Sequence, residues 1–416
     1  MLNATNEFVG YLFRKAASIP APVLEKARMC REDYLAVVAA GARKNREKWG
    51  PLLSRLPQGS ARLFGYDLTT DGKTAALING FNAHALELDD GQRFAMIHLG
   101  AGVISAIDAA AADGTVDETA YLKGIVMGYE AACRASIAMQ PTHKMKGYHA
   151  AGTCGTIGAA VGVAFALGFS EAQLKRTLTA SAGSAAGLLE IQEQRSELKP
   201  YNLGRAAMDG LAAAFMGLAD FEPPDDMLGG ERGFFKLFGD GFDADKLTGA
   251  AEYYEIQRIY VKPYASCRHS HSAVEAAITL HPAVSPEQVD RVLVETYRLG
   301  VKGHDHTEIK GVASAKLSTP YAVAAALLYG RADLTVFEPL DDAVLALAKK
   351  VNVTENESFS AQSDQKRIAA VTVFFKDGTD VTKQVDYAKG DPENPMTKEE
   401  LTKKKEMLFA YTDRGQ

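Results

Sequence analysis

The sequence predicts a mainly α protein, with a large all-helical domain and a smaller α+β domain, and three features carry that expectation. Up to about residue 245, APVLEKARMCREDYLAVVAAGARKN, DETAYLKGIVMGYEAACRASIAM, SEAQLKRTLTASAGSAAGLLEI and GRAAMDGLAAAFMGLADF repeat apolar residues at steps of three and four. That is the period of a helix with one buried face. Beyond residue 256 the texture changes: IQRIYVKPY and RVLVETYRL alternate or turn β-branched, and SAVEAAITLHP between them reads as a helix, giving the order strand, helix, strand. Finally, RIAAVTVFFKDGTDVTKQVDY reads as two strands joined at Asp377-Gly378, a dipeptide suited to the positive φ angles of a type I′ turn.

The individual elements follow from local chemistry. Many contact positions in the first-half helices are Ala, Gly or Ser, which lets helix backbones approach closely. GTCGTIGAAVGVAFALGF, residues 152–169, has no charge; it is shorter than the ~20 apolar residues of a membrane span and reads as a buried helix. In the second half TPYAVAAALLYG reads as a helix with Thr319 as cap and Pro320 in its first turn. PLDDAVLALAKKV reads as another, and a last helix opens at Thr397 with Glu400 at capping-box spacing. The expected division is a helical domain of residues 1–259 and 391–416 and an α+β domain of residues 260–390.

Composition narrows the function classes. A chain of 416 residues exceeds the ~100–200 residues of one ordinary domain. Its net charge of -6 argues against nucleic acid, which needs a basic face. Cys30, Cys133, Cys154 and Cys267 are far apart and form no CxxC pair, so neither a disulfide framework nor a zinc ribbon is indicated. The N-terminus MLNATNEFVGYLFRKAASIP lacks the apolar core of a signal peptide, and a reducing, cytoplasmic setting is the expectation.

Four clusters carry chemistry. In YVKPYASCRHSH, Lys262, Cys267, Arg268, His269 and His271 crowd together. Cys267, His269 and His271 share one face if the segment is a strand, and all three are zinc-ligand types. Against a metal stand the neighbouring positive charges and the lack of any carboxylate among them. In HKMKGYHAAGTCG, Tyr148 and His149 precede a Gly-rich helix start that includes Gly152, where exposed backbone N–H groups favour an anion. His143 and Lys144 there read as a solvated loop. In ELKPYNLGRAAMDG, Lys199, Tyr201 and Arg205 surround a turn into a helix. In NAHALELDDGQRFAMIH, Glu87, Asp89 and Asp90 precede His98; they can cap or end a helix, or orient a histidine or a substrate hydroxyl. If folding brings these clusters to one cleft between domains, several cations would hold carboxylates and lower a lysine's pKa. Such a cleft suits proton abstraction beside a carboxylate and needs no metal.

Taken in order, NGFNAHALELDDG, HLGAGVISA, GYHAAGTCGTIGAA, KPYNLGRAAMDG, GGERGFF, VKPYASCRHSHSAVEAA, STPYAVAAALL and GDPENPMT resemble the MmgE/PrpD family, which includes 2-methylcitrate dehydratase, cis-aconitate decarboxylase and iminodisuccinate epimerase. The resemblance implies a helical domain completed by the C-terminal helix, a smaller α+β lid domain and a homodimer. It also implies a cofactor-independent lyase or isomerase acting beside a carboxylate of a di- or tricarboxylic acid, with no obligate metal. Carried over by position, the active-site histidine falls on His149, the two lysines on Lys199 and Lys262, and a further histidine on His98. Lys262 or His149 is then the expected base, and Lys199, Arg268 and helix-start amides such as that of Gly152 are the expected carboxylate-binding groups. Tyr148, Tyr201 and His269 are candidates for acid or orienting roles, with Arg205, Asp89 and Asp90 as further substrate-binding candidates.

The chain departs from the family pattern at two places. Where the family commonly has Asp-Phe-Asp-Asp-Thr it has Glu87, Leu88, Asp89, Asp90 and Gly91, and His98 is followed by Leu99 instead of Pro. Those changes touch groups that manage a leaving or migrating group, so epimerisation survives them more easily than dehydration or decarboxylation. Two other readings stand beside this one: a metal-binding protein built on Cys267, His269 and His271, and a family member that binds carboxylates without turning them over.

Overall fold

The computed structural model describes residues 3–193 and 196–413, which fall into two compact units. The first holds residues 3–192, 198–260 and 401–413; the second holds 193, 196–197 and 261–400. The fold is mainly α, with small sheets of two and four strands.

The first unit opens with α1 (Ala4–Ala16) and the long α2 (Ala21–Leu53), then a hairpin of β1 (Ala61–Leu63) and β2 (Leu68–Thr70). Helices α3 (Gly72–His84), α4 (Gly100–Ala110), α5 (Glu118–Ile137) and α6 (Thr142–Met145) follow, then α7 (Ala150–Ala166), α8 (Glu171–Ser184), α9 (Tyr201–Leu218), α10 (Phe234–Gly239) and α11 (Ala244–Thr248). Asp71 and Asp117 cap α3 and α5, and Ser170 with Gln173 forms a capping box on α8, each satisfying backbone N–H groups that the helix leaves unpaired.

The uncharged run is α7, and every residue of it is buried. It packs against α4, α5, α8 and α9, the environment that an all-round apolar helix requires. Glycine makes the α5–α7 approach possible: a Cβ on Gly128 would lie 2.7 Å from the Gly158 carbonyl oxygen, and one on Gly158 would lie 2.7 Å from that of Gly128. No helix among the described residues is long and apolar enough to cross a membrane. The β1–β2 hairpin corrects the all-helical expectation for the first half. Ala61 and Leu63 bury beside Tyr66, Ala75 and Ile78, but an alternation three residues long leaves little trace in a sequence.

The second unit contains α12 (His271–Leu280), β3 (Val289–Thr296), α13 (Arg298–Val301), α14 (Val312–Leu317), α15 (Thr319–Tyr329), α16 (Asp342–Ala348), β4 (Val351–Glu355), α17 (Glu357–Ser360), β5 (Ala369–Phe375) and β6 (Asp380–Val385). The sheet order is β4-β3-β5-β6, with β4 parallel to β3 and the other pairs antiparallel. Helix α12 packs on β5, β6 and α15.

Four expectations change here. IQRIYVKPY is not a strand: Glu255–Arg258 is a 3-10 turn, and Tyr260 makes only an isolated bridge to Gly91. Pro263 lacks an N–H and restricts the residue before it, which breaks a ladder. Strand β4, directly after α16, was hidden in the tail of a helical pattern. The β5–β6 turn is not type I′, because Gly378 alone takes positive φ, at 88°. Gly378 N–H donates to Phe375 at 3.1 Å and Asp377 Oδ1 accepts from Thr379 N–H at 2.9 Å, a three-residue loop with glycine at its left-handed position. The cap of α15 is Ser318, whose Oγ accepts from Tyr321 N–H, one residue before the expected Thr319.

The last helix, α18 (Lys398–Asp413), opens with the capping box read from the sequence: Thr397 N–H donates to Glu400 Oε2 at 2.7 Å, and Glu400 N–H to Thr397 Oγ1 at 3.2 Å. Further along, Lys404 bonds within the first unit to Asp33 of α2. Cys30, Cys133, Cys154 and Cys267 are free thiols.

Candidate active site

The acidic segment between α3 and α4 is fixed by its own polar groups. Leu99 offers α4 no side-chain cap, and Asp90 supplies one from a distance. Its Oδ1 accepts from Gly100 N–H at 2.8 Å, and its Oδ2 accepts from Tyr129 Oη at 2.5 Å. Burial pushes the Asp90 carboxyl up to about 6, against the pull of those two donors. The neighbouring Asp89 serves two imidazoles: His84 Nδ1 donates to Asp89 Oδ2 at 2.8 Å, and His98 Nδ1 lies 3.2 Å from the same oxygen. His98 Nδ1 also donates to the Asp90 carbonyl at 2.9 Å. The two rings lie 4.6 Å apart.

Glu87 sits at φ 56°, a left-handed conformation that non-glycine residues rarely take and that gathers at functional sites. Its Oε1 lies 3.5 Å from His84 Nε2, and the Lys199 ammonium forms an ion pair with the same carboxylate. Both partners are largely buried, at 12% and 9% side-chain exposure. Gly91 pairs its backbone with Tyr260, and a Cβ there would lie 2.4 Å from Tyr260 Oη. The space that a side chain at position 91 would take is therefore filled by Tyr260 and by the Ile97 carbonyl oxygen, 2.7 Å from the same Cβ.

His149 is the residue before α7, and its backbone N–H donates to the Gly187 carbonyl at 3.0 Å. Its Nδ1 is 2.9 Å from Asn202 Nδ2 in the first turn of α9. The ring is held well below the usual imidazole range, first by burial, then by the positive fields of Lys199, His84 and His98, with Glu87 opposing. His149, Lys199, His84, His98 and Glu87 thus form one electrostatic group within the first unit.

The other first-unit candidates have partners of their own. Tyr148 packs its ring against Phe238 and His143, with centroids 4.8 and 5.3 Å away. Tyr201, the first residue of α9, is exposed. Arg205 directs its guanidinium to the carbonyls of Ser184, Gly152 and Ala186 and to Asp209. Gly152 N–H donates to the His149 carbonyl at 2.9 Å, and a Cβ on Gly152 would lie 2.5 Å from the Ala186 oxygen. That glycine serves a close packing contact. His143, read from the sequence as part of a solvated loop, is fully buried with Nε2 2.7 Å from Thr153 Oγ1.

In the second unit Lys262 is completely buried. Arg268 pairs with Asp391 at 2.5 Å and donates to His271 Nδ1 at 2.9 Å, while His271 Nε2 donates to the Ser266 carbonyl at 3.1 Å. His269 Nδ1 bonds the Tyr297 hydroxyl at 2.6 Å, and its ring stacks on His304, which lies 3.9 Å from Cys267 Sγ. Cys267, His269 and His271 stand on a 3-10 turn and the start of α12 instead of a strand; the first two meet at His304 while His271 turns to Arg268 and Ser266. They form no ligand set. Among the described residues the group able to surround a cation is His84, Asp89 and His98, with ligand atoms within 4.8 Å of one another. There, however, the Nδ1 of His98 spends its proton on the Asp90 carbonyl and that of His84 on Asp89, so these nitrogens act as donors. The arrangement suits orientation of imidazoles for proton transfer.

The sequence reading passed over His84, Asn202, Tyr129, Tyr260 and Lys404. His84 carried a weak signal, five residues before Asp89 in NAHALELDD; Asn202 and Tyr260 lie inside two of the quoted clusters beside their charged residues, and Tyr129 and Lys404 lie in stretches that read as ordinary helix.

Comparison with known proteins agrees along the whole chain. The family model for the MmgE/PrpD N-terminal domain matches residues 12–247, and that for the MmgE/PrpD C-terminal domain matches residues 264–414. A cis-aconitate decarboxylase of Aspergillus terreus is 27% identical over 420 residues, covering 93% of this chain and 85% of the relative. A cis-aconitate decarboxylase-like protein, oryM, of Aspergillus oryzae is 26% identical over 440 residues, covering 97% and 89%. With both domain models matched in order, the chain belongs to the MmgE/PrpD family.

Proposed function

We propose that the protein is a lyase or isomerase that moves a proton at a carbon α to a carboxylate of a di- or tricarboxylic acid, using side chains alone. The observation that carries this reading is the buried group of Lys199, Glu87, His84, Asp89, His98 and His149. A carboxylate entering that group meets the Lys199 ammonium, and an enediolate forming from it meets fixed donors in a site with little water, where such donors are worth most.

His98 is the proposed base. Its Nδ1–H is held by the Asp90 carbonyl and by Asp89, which leaves the lone pair on Nε2. The proton passes from the α-carbon to His98 Nε2, the C–H electron pair moves into the enediolate, and Asp89 stabilises the imidazolium. In a decarboxylation no C–H bond breaks first: His98 starts as the imidazolium held by Asp89, its Nε2–H protonates the carbanion left when the C–CO2 bond breaks, and water resupplies that proton. The relative named as a cis-aconitate decarboxylase favours a tricarboxylic acid and the lyase direction. Lys262, Arg268 and helix-start amides are proposed as further carboxylate-binding groups, with Tyr148, Tyr201 and His269 in orienting roles.

The test is incubation in deuterium oxide with cis-aconitate, citrate, 2-methylcitrate, malate, tartrate and iminodisuccinate, followed by NMR. Deuterium at an α-carbon supports the reading: with loss of CO2 it identifies a decarboxylase, and with the carbon skeleton intact an epimerase. A new unsaturated product that keeps every carbon of the acid identifies a dehydratase. Thermal stabilisation by these acids with no exchange and no product would make the chain a binding protein instead.

A further inference from the structure

Two imidazoles in this group are fixed in opposite tautomers by groups whose hydrogen-bonding sense is settled. A carbonyl oxygen only accepts, so the Asp90 carbonyl fixes His98 with hydrogen on Nδ1. Asn202 does the reverse for His149. The amide nitrogen of Asn202 is 3.4 Å from the Leu188 carbonyl oxygen as well as 2.9 Å from His149 Nδ1. The carbonyl demands the NH2 end of the amide on that side, so Nδ1 of His149 must accept. The hydrogen of a neutral His149 ring then lies on Nε2.

Resting on the reading of the site given above, we infer that Asn202 is a positioning residue, which keeps His149 as a neutral Nε2–H donor aimed at the developing oxyanion and so bars it from acting as the base. A ring whose Nδ1 already accepts a hydrogen bond has no lone pair on Nε2 with which to take a proton from carbon. Nor does it give its own proton away, since full transfer would leave an imidazolate. What remains is a hydrogen bond that strengthens as negative charge grows on the substrate oxygen, a contribution made mainly in the transition state. Its surroundings agree: the fields of Lys199, His84 and His98 disfavour a positive charge on the ring, Glu87 opposes them, and the ring is buried at the start of α7. The division of labour assigns proton transfer to His98 and charge stabilisation to His149.

The test has two independent readouts. In the protein labelled with 15N-histidine, NMR at neutral pH is expected to show His149 with a pyridine-type Nδ1 and a pyrrole-type Nε2, and His98 with the reverse. Asn202→Asp, nearly the same shape, offers a carboxylate that only accepts, so that Nδ1 must carry a hydrogen and donate it to the new side chain. It is expected to flip the His149 tautomer, to raise its pKa into the neutral range, and to lower kcat by ~10²-fold, the scale for losing one oxyanion donor, with KM little changed. An Nδ1–H or doubly protonated His149 in the unmodified protein would overturn the inference. So would an Asn202→Asp variant that flips the tautomer and keeps full kcat. If the tautomers are as stated but no acid in the panel is turned over, the tautomer assignment stands and the proposed function falls.

Discussion

Lys404, near the end of the chain, donates from Nζ to the carbonyl oxygen of Leu88 at 2.7 Å, although the two residues are 316 positions apart. The same ammonium is paired with Asp33 at 2.6 Å, and both charged side chains are almost fully buried. The last helix thereby holds the backbone of the acidic segment at its centre, between Glu87 and Asp89. Lys404→Met leaves the Asp33 carboxylate buried without its cation, and breaking a buried pair in this way costs ~3–5 kcal/mol. Denaturant unfolding is expected to show that loss, and Asp33→Asn added to Lys404→Met is expected to restore part of it. A fall in kcat that persists in the double variant would report the loose segment itself.

Lys199 and Glu87 hold each other within the group. A charge-assisted hydrogen bond to a substrate carboxylate contributes roughly 1.5–3 kcal/mol, so Lys199→Met is expected to lower kcat/KM by ~10- to 100-fold, mostly through KM. Glu87→Gln frees the ammonium and is expected to change KM less than kcat. Steady-state kinetics on whichever acid the panel identifies separates the two.

Gly91 admits no side chain while Tyr260 occupies its place. A Cβ there would lie 2.4 Å from Tyr260 Oη and 2.6 Å from its Cζ. Gly91→Thr, which restores the residue common in the family, is expected to destabilise by ~1–3 kcal/mol, as overpacking does. Gly91→Thr with Tyr260→Leu is expected to cost less than the sum of the single changes, because the two share one space. Thermal denaturation of the four-member cycle measures that coupling.

His143 gives a pH signature apart from the active group. Burial, helped by Lys146, pushes its imidazole down to about 4 from an ordinary value of 6.5. A depressed folded pKa means that the unfolded chain binds the proton more readily. Its stabilising contribution is therefore complete above pH 6.5 and lost as pH falls toward 4, roughly 3 kcal/mol across that window. Asp90 and Asp108, both raised to about 6, act in the opposite sense: their contribution weakens as pH rises from ~4 to 6. The difference in unfolding free energy between the unmodified protein and His143→Gln cancels the carboxylates. It is expected to shrink steadily from pH 7 to pH 4.

What could be read in the sequence was whatever rests on local pattern. Three- and four-residue periodicity located the long helices, Thr397 and Glu400 marked the start of the last one, and Asp377-Gly378 marked a hairpin whose turn type the dipeptide alone did not decide. His149 stood out because it precedes a Gly- and Ala-rich helix. Partners set by tertiary packing left no such trace. Asn202 is the second residue of a helix, behind a lysine, a proline and a tyrosine, and Lys404 sits in a lysine run that looks like a solvated face. His84 is the last residue of α3 and gains its meaning only when the chain turns back to bring His98 beside it. The same limit explains IQRIYVKPY: its composition suits a strand, but Tyr260 finds a single bridge partner in Gly91 and Pro263 prevents more.

The most direct measurement is a crystal structure of the protein soaked with citrate, which carries the carboxylates of the proposed substrate class. A carboxylate is expected within hydrogen-bonding distance, ~2.7–3.2 Å, of both Lys199 Nζ and His149 Nε2, with His98 Nε2 facing a carbon next to it. Citrate bound at another place, with the Lys199–Glu87 pair and the three histidines untouched, would contradict the assignment of this group as the substrate site.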